Sequence, residues 1–106
     1  MPSGAAVRRY AQAVFEMADE QGTLDAWERD LRALADAFND PVVAAYFDNP
    51  QVPASQKADT ANQLLGPAAQ QLARNLVGLL IARGRIRSLP QIYADFHDRM
   101  LERQGI

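Results

Sequence analysis

The sequence contains no cysteine. That removes disulfide scaffolds, cysteine-ligated zinc and thiol nucleophiles together. It has a single histidine, His97, so histidine-rich metal sites and paired-histidine acid–base chemistry are excluded as well. Its longest apolar run, residues 76–82, falls far short of the roughly 20 residues that cross a bilayer. Arg8-Arg9 is followed by no apolar stretch of the kind an export signal carries, and Glu16, Asp19 and Glu20 come soon after, so the sequence reads as a soluble intracellular protein. Strand formers are scarce: Val (6), Ile (4) and Thr (2) stand against Ala (19) and Leu (11). The balance favours helix over sheet before any pattern is read.

What is present suits one domain. The chain has 106 residues, 48% of them apolar, and a chain of this size buries about two-thirds of its unfolded surface without a metal or crosslink. The net charge is −2 and the isoelectric point about 5.2, against the basic balance of a dedicated nucleic-acid binder. The charge is uneven. Residues 1–73 carry 5 basic and 10 acidic side chains, and residues 74–106 carry 6 basic and 3 acidic. Such polarity either orients the domain on a charged partner or is an ordinary mixed surface.

Glycine and proline divide the chain into six helical pieces. The first spans about 5–21, with Ser3 placed as N-cap and Gly22 as the C-terminal stop. Thr23 caps the second, where Leu24, Trp27, Leu31, Leu34 and Phe38 form one apolar stripe. A connection of only Gly22-Thr23 makes these two an antiparallel hairpin. Asp40-Pro41 reads as N-cap and first residue of a short helix to about Phe47, ended by Asp48-Asn49-Pro50. Val52-Pro53 opens a fourth helix running to Leu65. Gly66-Pro67 opens a fifth running to Arg83, apolar nearly all round through Leu72, Leu76, Val77, Leu79, Leu80 and Ile81. That character predicts the central helix of the fold. Ser88 and Gln91 have capping-box spacing. The last helix then places Leu89, Ile92, Tyr93, Phe96 and Met100 inward, and residues 104–106 read as a frayed end or the start of a linker. The expected architecture is all-α, a compact six-helix bundle with short connections.

No catalytic constellation assembles. His97 beside Asp95 and Asp98 is poorly placed for a relay, because neighbours in a helix point apart, and it reads as a surface or edge histidine. Glu16, Asp19 and Glu20 share a helix face but have no second supporting segment, so they read as a solvated face. Ser3, Ser55 and Ser88 sit at helix starts and read as caps. Trp27 lies in an apolar stripe and reads as core. Two features stand apart. Gly78 is in mid-helix, where it costs roughly 1 kcal/mol relative to Ala, so either another backbone approaches it from outside or the bundle packs closely on it. Asn75 lies among leucines and needs a partner if buried. The first helix also has two apolar faces: Val7, Ala11, Val14 and Ala18 serve a core, while Ala6, Tyr10, Ala13 and Met17 form a second. With the glycine-bearing fifth helix, that second face frames a groove of small residues, Met and Leu, suited to an amphipathic partner helix.

The string Val7-Arg8-Arg9-Tyr10-Ala11-Gln12-Ala13-Val14-Phe15-Glu16-Met17-Ala18 resembles the opening of the delta subunits of bacterial F-type ATP synthases, whose mitochondrial counterpart is the oligomycin-sensitivity-conferring protein. Phe47-Asp48-Asn49-Pro50-Gln51-Val52 followed by Lys57 is similar to a second segment of that family. Asn75-Leu76-Val77-Gly78-Leu79-Leu80-Ile81-Ala82-Arg83-Gly84-Arg85-Ile86, then Leu89-Pro90-Gln91-Ile92 and Phe96, is similar to a third. The segments occur in order across residues 7–96. Ile86 stands where the family usually has Leu, and the Val52-Pro53-Ala54 entry to the fourth helix is not its commonest form.

The resemblance implies the family's N-terminal six-helix domain over residues 1–106, without the second domain that binds the dimeric b stalk. It implies a non-catalytic stator function with no cofactor and no metal, peripheral on the cytoplasmic face of the bacterial plasma membrane as part of the synthase. The isolated domain is expected to be soluble and monomeric. The N-terminal helix of an alpha subunit would dock between the first and fifth helices, on Tyr10, Ala13, Val14, Met17, Asn75, Gly78, Leu79 and Ala82. Two other readings stay open: a helical adaptor for an amphipathic helix of another client, and an RNA- or DNA-binding bundle using Arg83, Arg85 and Arg87 with the positive C-terminal third.

Overall fold

A computed structural model describes residues 4–105; Ser3, expected as a cap, and Ile106, at the expected frayed end, lie outside the described residues. The described residues form helices α1 (Gly4–Gln21), α2 (Leu24–Ala37), α3 (Pro41–Asp48), α4 (Ala54–Leu65), α5 (Gln71–Ala82) and α6 (Leu89–Arg103), with a 3₁₀ turn over Ile86–Ser88 before α6. This is the expected all-α, six-helix arrangement, with no strand among the described residues.

The connections follow from backbone chemistry. Gly22 takes φ 70°, a conformation that costs glycine nothing. It lets the Thr23 and Gly22 amides donate back to Ala18 and Asp19 carbonyls at 2.8 and 3.3 Å, satisfying the end of α1 as a Schellman turn. Gly84, at φ 66°, does the same for α5 through Arg85 and Gly84 onto Leu80 and Ile81. Asp40 caps α3 by accepting from the Val42 amide at 2.9 Å.

Other expected caps are not made. Thr23 precedes α2 but makes no side-chain cap bond, and its Oγ1 is buried without a partner. Pro53, not Ser55, is the N-cap of α4. Ser88 adopts helical angles and makes no side-chain cap bond: it ends the 3₁₀ turn that runs directly into α6, so the extended geometry a capping box requires is absent.

The core runs through Trp27, Leu31 and Leu34 of α2, Val77 and Leu80 of α5, and Leu89, Ile92 and Phe96 of the α6 segment. Phe15 of α1 meets Phe96 edge-to-face at 5.8 Å. The central helix is α6, which packs along both α1 and α2. The expectation that α5 is central is corrected: α5 lies chiefly on α4, with smaller contacts to α2 and the 3₁₀ turn. Its apolar residues outnumber the positions turned inward, and Ala73, Val77, Leu80 and Ile81 fill the buried side.

α5 also starts at Gln71 rather than at Pro67. The cause lies 40 residues away. Asp30 of α2 is 1% exposed, and its Oδ2 accepts from the Gln70 amide at 3.0 Å and from Gln70 Nε2 at 3.2 Å. Arg29 Nη2 donates to the Ala68 carbonyl at 3.2 Å. This clamp holds Gln70 extended, with ψ 148°, and the helix begins after it.

Candidate functional site

Turning Ala73, Val77, Leu80 and Ile81 inward leaves the opposite side of α5 only partly covered by the described residues. Leu72 and Leu79 are each 40% exposed and, with Val42, are the large apolar side chains left exposed among the described residues. They are seven residues apart, two turns along one face. Asn75 and Ala82 are exposed on the same open side, and Leu76 is half-buried. Asn75 therefore does not lie buried among leucines; its Oδ1 accepts from Gln71 Nε2 at 2.9 Å on its own helix. A Cβ built on Gly78 would meet nothing within 4 Å. Close packing of this bundle is thus not the reason for the glycine, and the space beside it opens outward.

On α1, Ala13 is exposed, and Tyr10 and Met17 are half-buried and packed against the core. Val14 is 5% exposed and belongs to the core cluster with Ala11 and Ala18. It shares their side of the helix, so it offers no surface to a partner. Ala6, read on the second apolar face, is also buried.

The two helices are linked where α5 ends: Arg83 Nη1 donates to Tyr10 Oη at 3.1 Å. Here Arg9, Tyr10, Ala13, Arg83 and Arg85 line a cleft of about 400 Å³. The structure thus brings Tyr10 and Ala13 together with the arginines that follow α5. Asn75, Gly78, Leu79 and Ala82 do not line this cleft.

The three arginines at 83, 85 and 87 do not form one phosphate-binding surface. Arg87 turns to α3, where it pairs with Asp48, and lines a separate cleft of about 230 Å³ with Phe47, Lys57 and Ile81. The division falls at Ile86, an apolar residue between Arg85 and Arg87 that is buried and opens the 3₁₀ turn. Arg9 was not singled out in the sequence, because only tertiary packing brings it beside residues 83 and 85.

His97 lies against α2 rather than pairing with Asp95 or Asp98. Its Nδ1 is 3.4 Å from Glu28 Oε2, and Tyr93 Oη donates to Glu28 Oε1 at 2.8 Å. Burial of the phenol, then its bond to the Glu28 carboxylate, push the Tyr93 pKa up to about 12, so it stays protonated and the cluster ties α6 to α2. Glu16, Asp19 and Glu20 are exposed; Asp19 meets Arg103 at 3.4 Å. Among the described residues no group of three or more acidic or histidine side chains is placed to hold a metal ion, and no helix is long and apolar enough to cross a membrane.

Residues 6–106 match the family model described as the ATP synthase delta (OSCP) subunit. The ATP synthase subunit delta of Neisseria meningitidis is 35% identical over 94 residues, covering 89% of this chain and 52% of the relative. That of Thioalkalivibrio sulfidiphilus is 34% identical over 98 residues, covering 92% and 55%. That of Dehalococcoides mccartyi is 31% identical over 102 residues, covering 96% and 56%. The chain spans about half the length of the curated relatives it matches.

Proposed function

The chain belongs to the ATP synthase delta (OSCP) subunit family, and from that premise we propose that it is a non-catalytic part of the synthase's peripheral stalk. In this reading it captures the amphipathic N-terminal helix of an alpha subunit on the surface formed by α1 and α5. The assembly lies peripherally on the cytoplasmic face of the membrane. The catalytic head is thereby kept from turning with the shaft.

One observation carries the docking site. The open side of α5 combines two half-exposed leucines two turns apart with a glycine that no part of the bundle requires. An apolar ridge beside a notch is what the apolar face of a partner helix needs for close approach. On α1, the exposed Ala13 and half-buried Tyr10 and Met17 supply the other wall.

The test is titration of this chain with a peptide of the alpha subunit's N-terminal helix, followed by calorimetry and NMR. Saturable 1:1 binding is expected, with shifts concentrated on α1 and α5. Gly78→Leu, which has open space to occupy, should fold normally and bind about tenfold more weakly or worse, because the leucine obstructs the partner. Unchanged binding by folded Gly78→Leu counts against the site. No binding by the unaltered chain counts against the partner and favours an adaptor with another client.

A further inference from the structure

We propose that the cleft between α1 and the end of α5 is a carboxylate receptor, and that it pins an acidic side chain of the helix docked on these two elements. The proposal rests on the docking reading above and adds the chemistry that selects and orients the partner.

Most arginines outside this cleft have side-chain partners within the chain; Arg8, exposed on α1, has none among the described residues. Arg29, Arg32, Arg87, Arg99 and Arg103 each pair with a carboxylate, on Asp30, Asp36, Asp48, Asp95 and Asp19 in turn. Arg74 donates to Asn62 and to the Gly66 carbonyl at the end of α4. In the cleft the pattern changes. The side chains of Arg9 and Arg85 have no hydrogen bond or ion pair among the described residues, and that of Arg83 has only the neutral Tyr10 hydroxyl. Three guanidinium groups thus share a cleft of about 400 Å³ with no compensating acid on its walls. Like charges gathered in one concavity repel each other and attract an anion. A guanidinium's forked donors match a carboxylate closely. Tyr10 contributes order, fixing Arg83 across the gap between the helices.

The position favours a side chain of the docked helix as the occupant. The cleft begins at the end of α5, five residues beyond Gly78, or about 7.5 Å at 1.5 Å per helical residue. A helix seated over Gly78 and Leu79 would therefore bring an Asp or Glu about one to two turns further along into reach of Arg9, Arg83 and Arg85. The apolar ridge gives such a helix adhesion, and the cleft sets its register and direction.

The experiment repeats the alpha-peptide titration at low and high salt, using the unaltered chain, Arg9→Gln/Arg85→Gln, and Arg32→Gln as a control outside the cleft. Thermal melts check that each variant folds. The expected result is affinity that falls with salt for the unaltered chain. The double variant should bind about tenfold more weakly with a flatter salt response, and Arg32→Gln should bind as the unaltered chain does. Replacing the peptide's acidic residues by their amides should reproduce the loss, with no further loss in the double variant. Full-strength binding by the double variant overturns the receptor and leaves the docking reading standing. No binding by the unaltered chain overturns both. Should the double variant melt early, Arg9→Lys/Arg85→Lys keeps the charge; its retained salt dependence supports the receptor, and salt-independent binding overturns it.

Discussion

Glu28 directs both carboxylate oxygens at α6, one to the Tyr93 hydroxyl at 2.8 Å and one to His97 Nδ1 at 3.4 Å. The consequence is a pH dependence with a definite sign. Tyr93 has its pKa raised from 10.0 to about 12 by burial first and the Glu28 bond second. A group with a raised folded-state pKa contributes stability that is complete below its unfolded value and lost as pH rises through the folded one. The contribution should therefore be intact below pH 10 and vanish between pH 10 and about 12. Tyr93→Phe should cost about 1 kcal/mol near pH 8, the net worth of one such bond. The gap between the two proteins' melting curves should close over that alkaline interval. A gap unchanged up to pH 12 would place the hydroxyl outside the titration. None of this was legible in the sequence, where Glu28 sits on the charged side of a helix and Tyr93 on an apolar stripe. Asp30 was equally hidden. An Asp one position from Leu31 reads as surface, and its burial makes sense only beside Gln70, whose unpaired amide it satisfies.

Helix positions were legible because glycine and proline act locally. Gly22 and Gly84 end helices by taking left-handed angles, and Pro41 starts one where its missing N–H costs nothing. The start of α5 was not legible, since the Asp30 clamp is a long-range bond. Nor was the central helix, because apolar residues on every face fit burial on all sides and a partly covered docking side equally well. On α1 the same ambiguity is now resolved: Ala11 is fully buried and Ala13 exposed, two residues apart. Ala11→Trp should overpack the α1 core face and cost about 3 kcal/mol or more. Ala13→Trp should change stability by no more than about 0.5 kcal/mol while weakening the alpha peptide. Melting temperatures and calorimetric titration of the two variants check this. A large fall in melting temperature for Ala13→Trp would mean that its side of α1 is core.

Across the whole molecule, stability and the proposed docking surface occupy different places, which makes them separable by mutation. The fold is organised around α6, where Phe96 is fully buried and meets Phe15. The open side of α5 holds Leu72 and Leu79, each 40% exposed. Phe96→Ala should cost about 3–5 kcal/mol, the cost of emptying a core aromatic site, against a total of about 5–15 kcal/mol for a domain. At about 4–8 °C per kcal/mol for a chain near this size, the melting temperature should fall by about 12–40 °C. Leu72→Ser and Leu79→Ser should each cost less, about 1–2 kcal/mol, because each leucine is 40% exposed and loses only part of a full side chain's burial. The same two serines should depress binding of the alpha peptide, whose apolar face loses its ridge. Near-UV circular dichroism, which reads buried Trp27, would follow the core, and calorimetry would follow the ridge. If Leu79→Ser unfolds the protein as Phe96→Ala does, then α5 is structural on both sides and the docking surface must be sought elsewhere. If it folds and fails to bind, the exposed leucines are there for a partner rather than for the bundle.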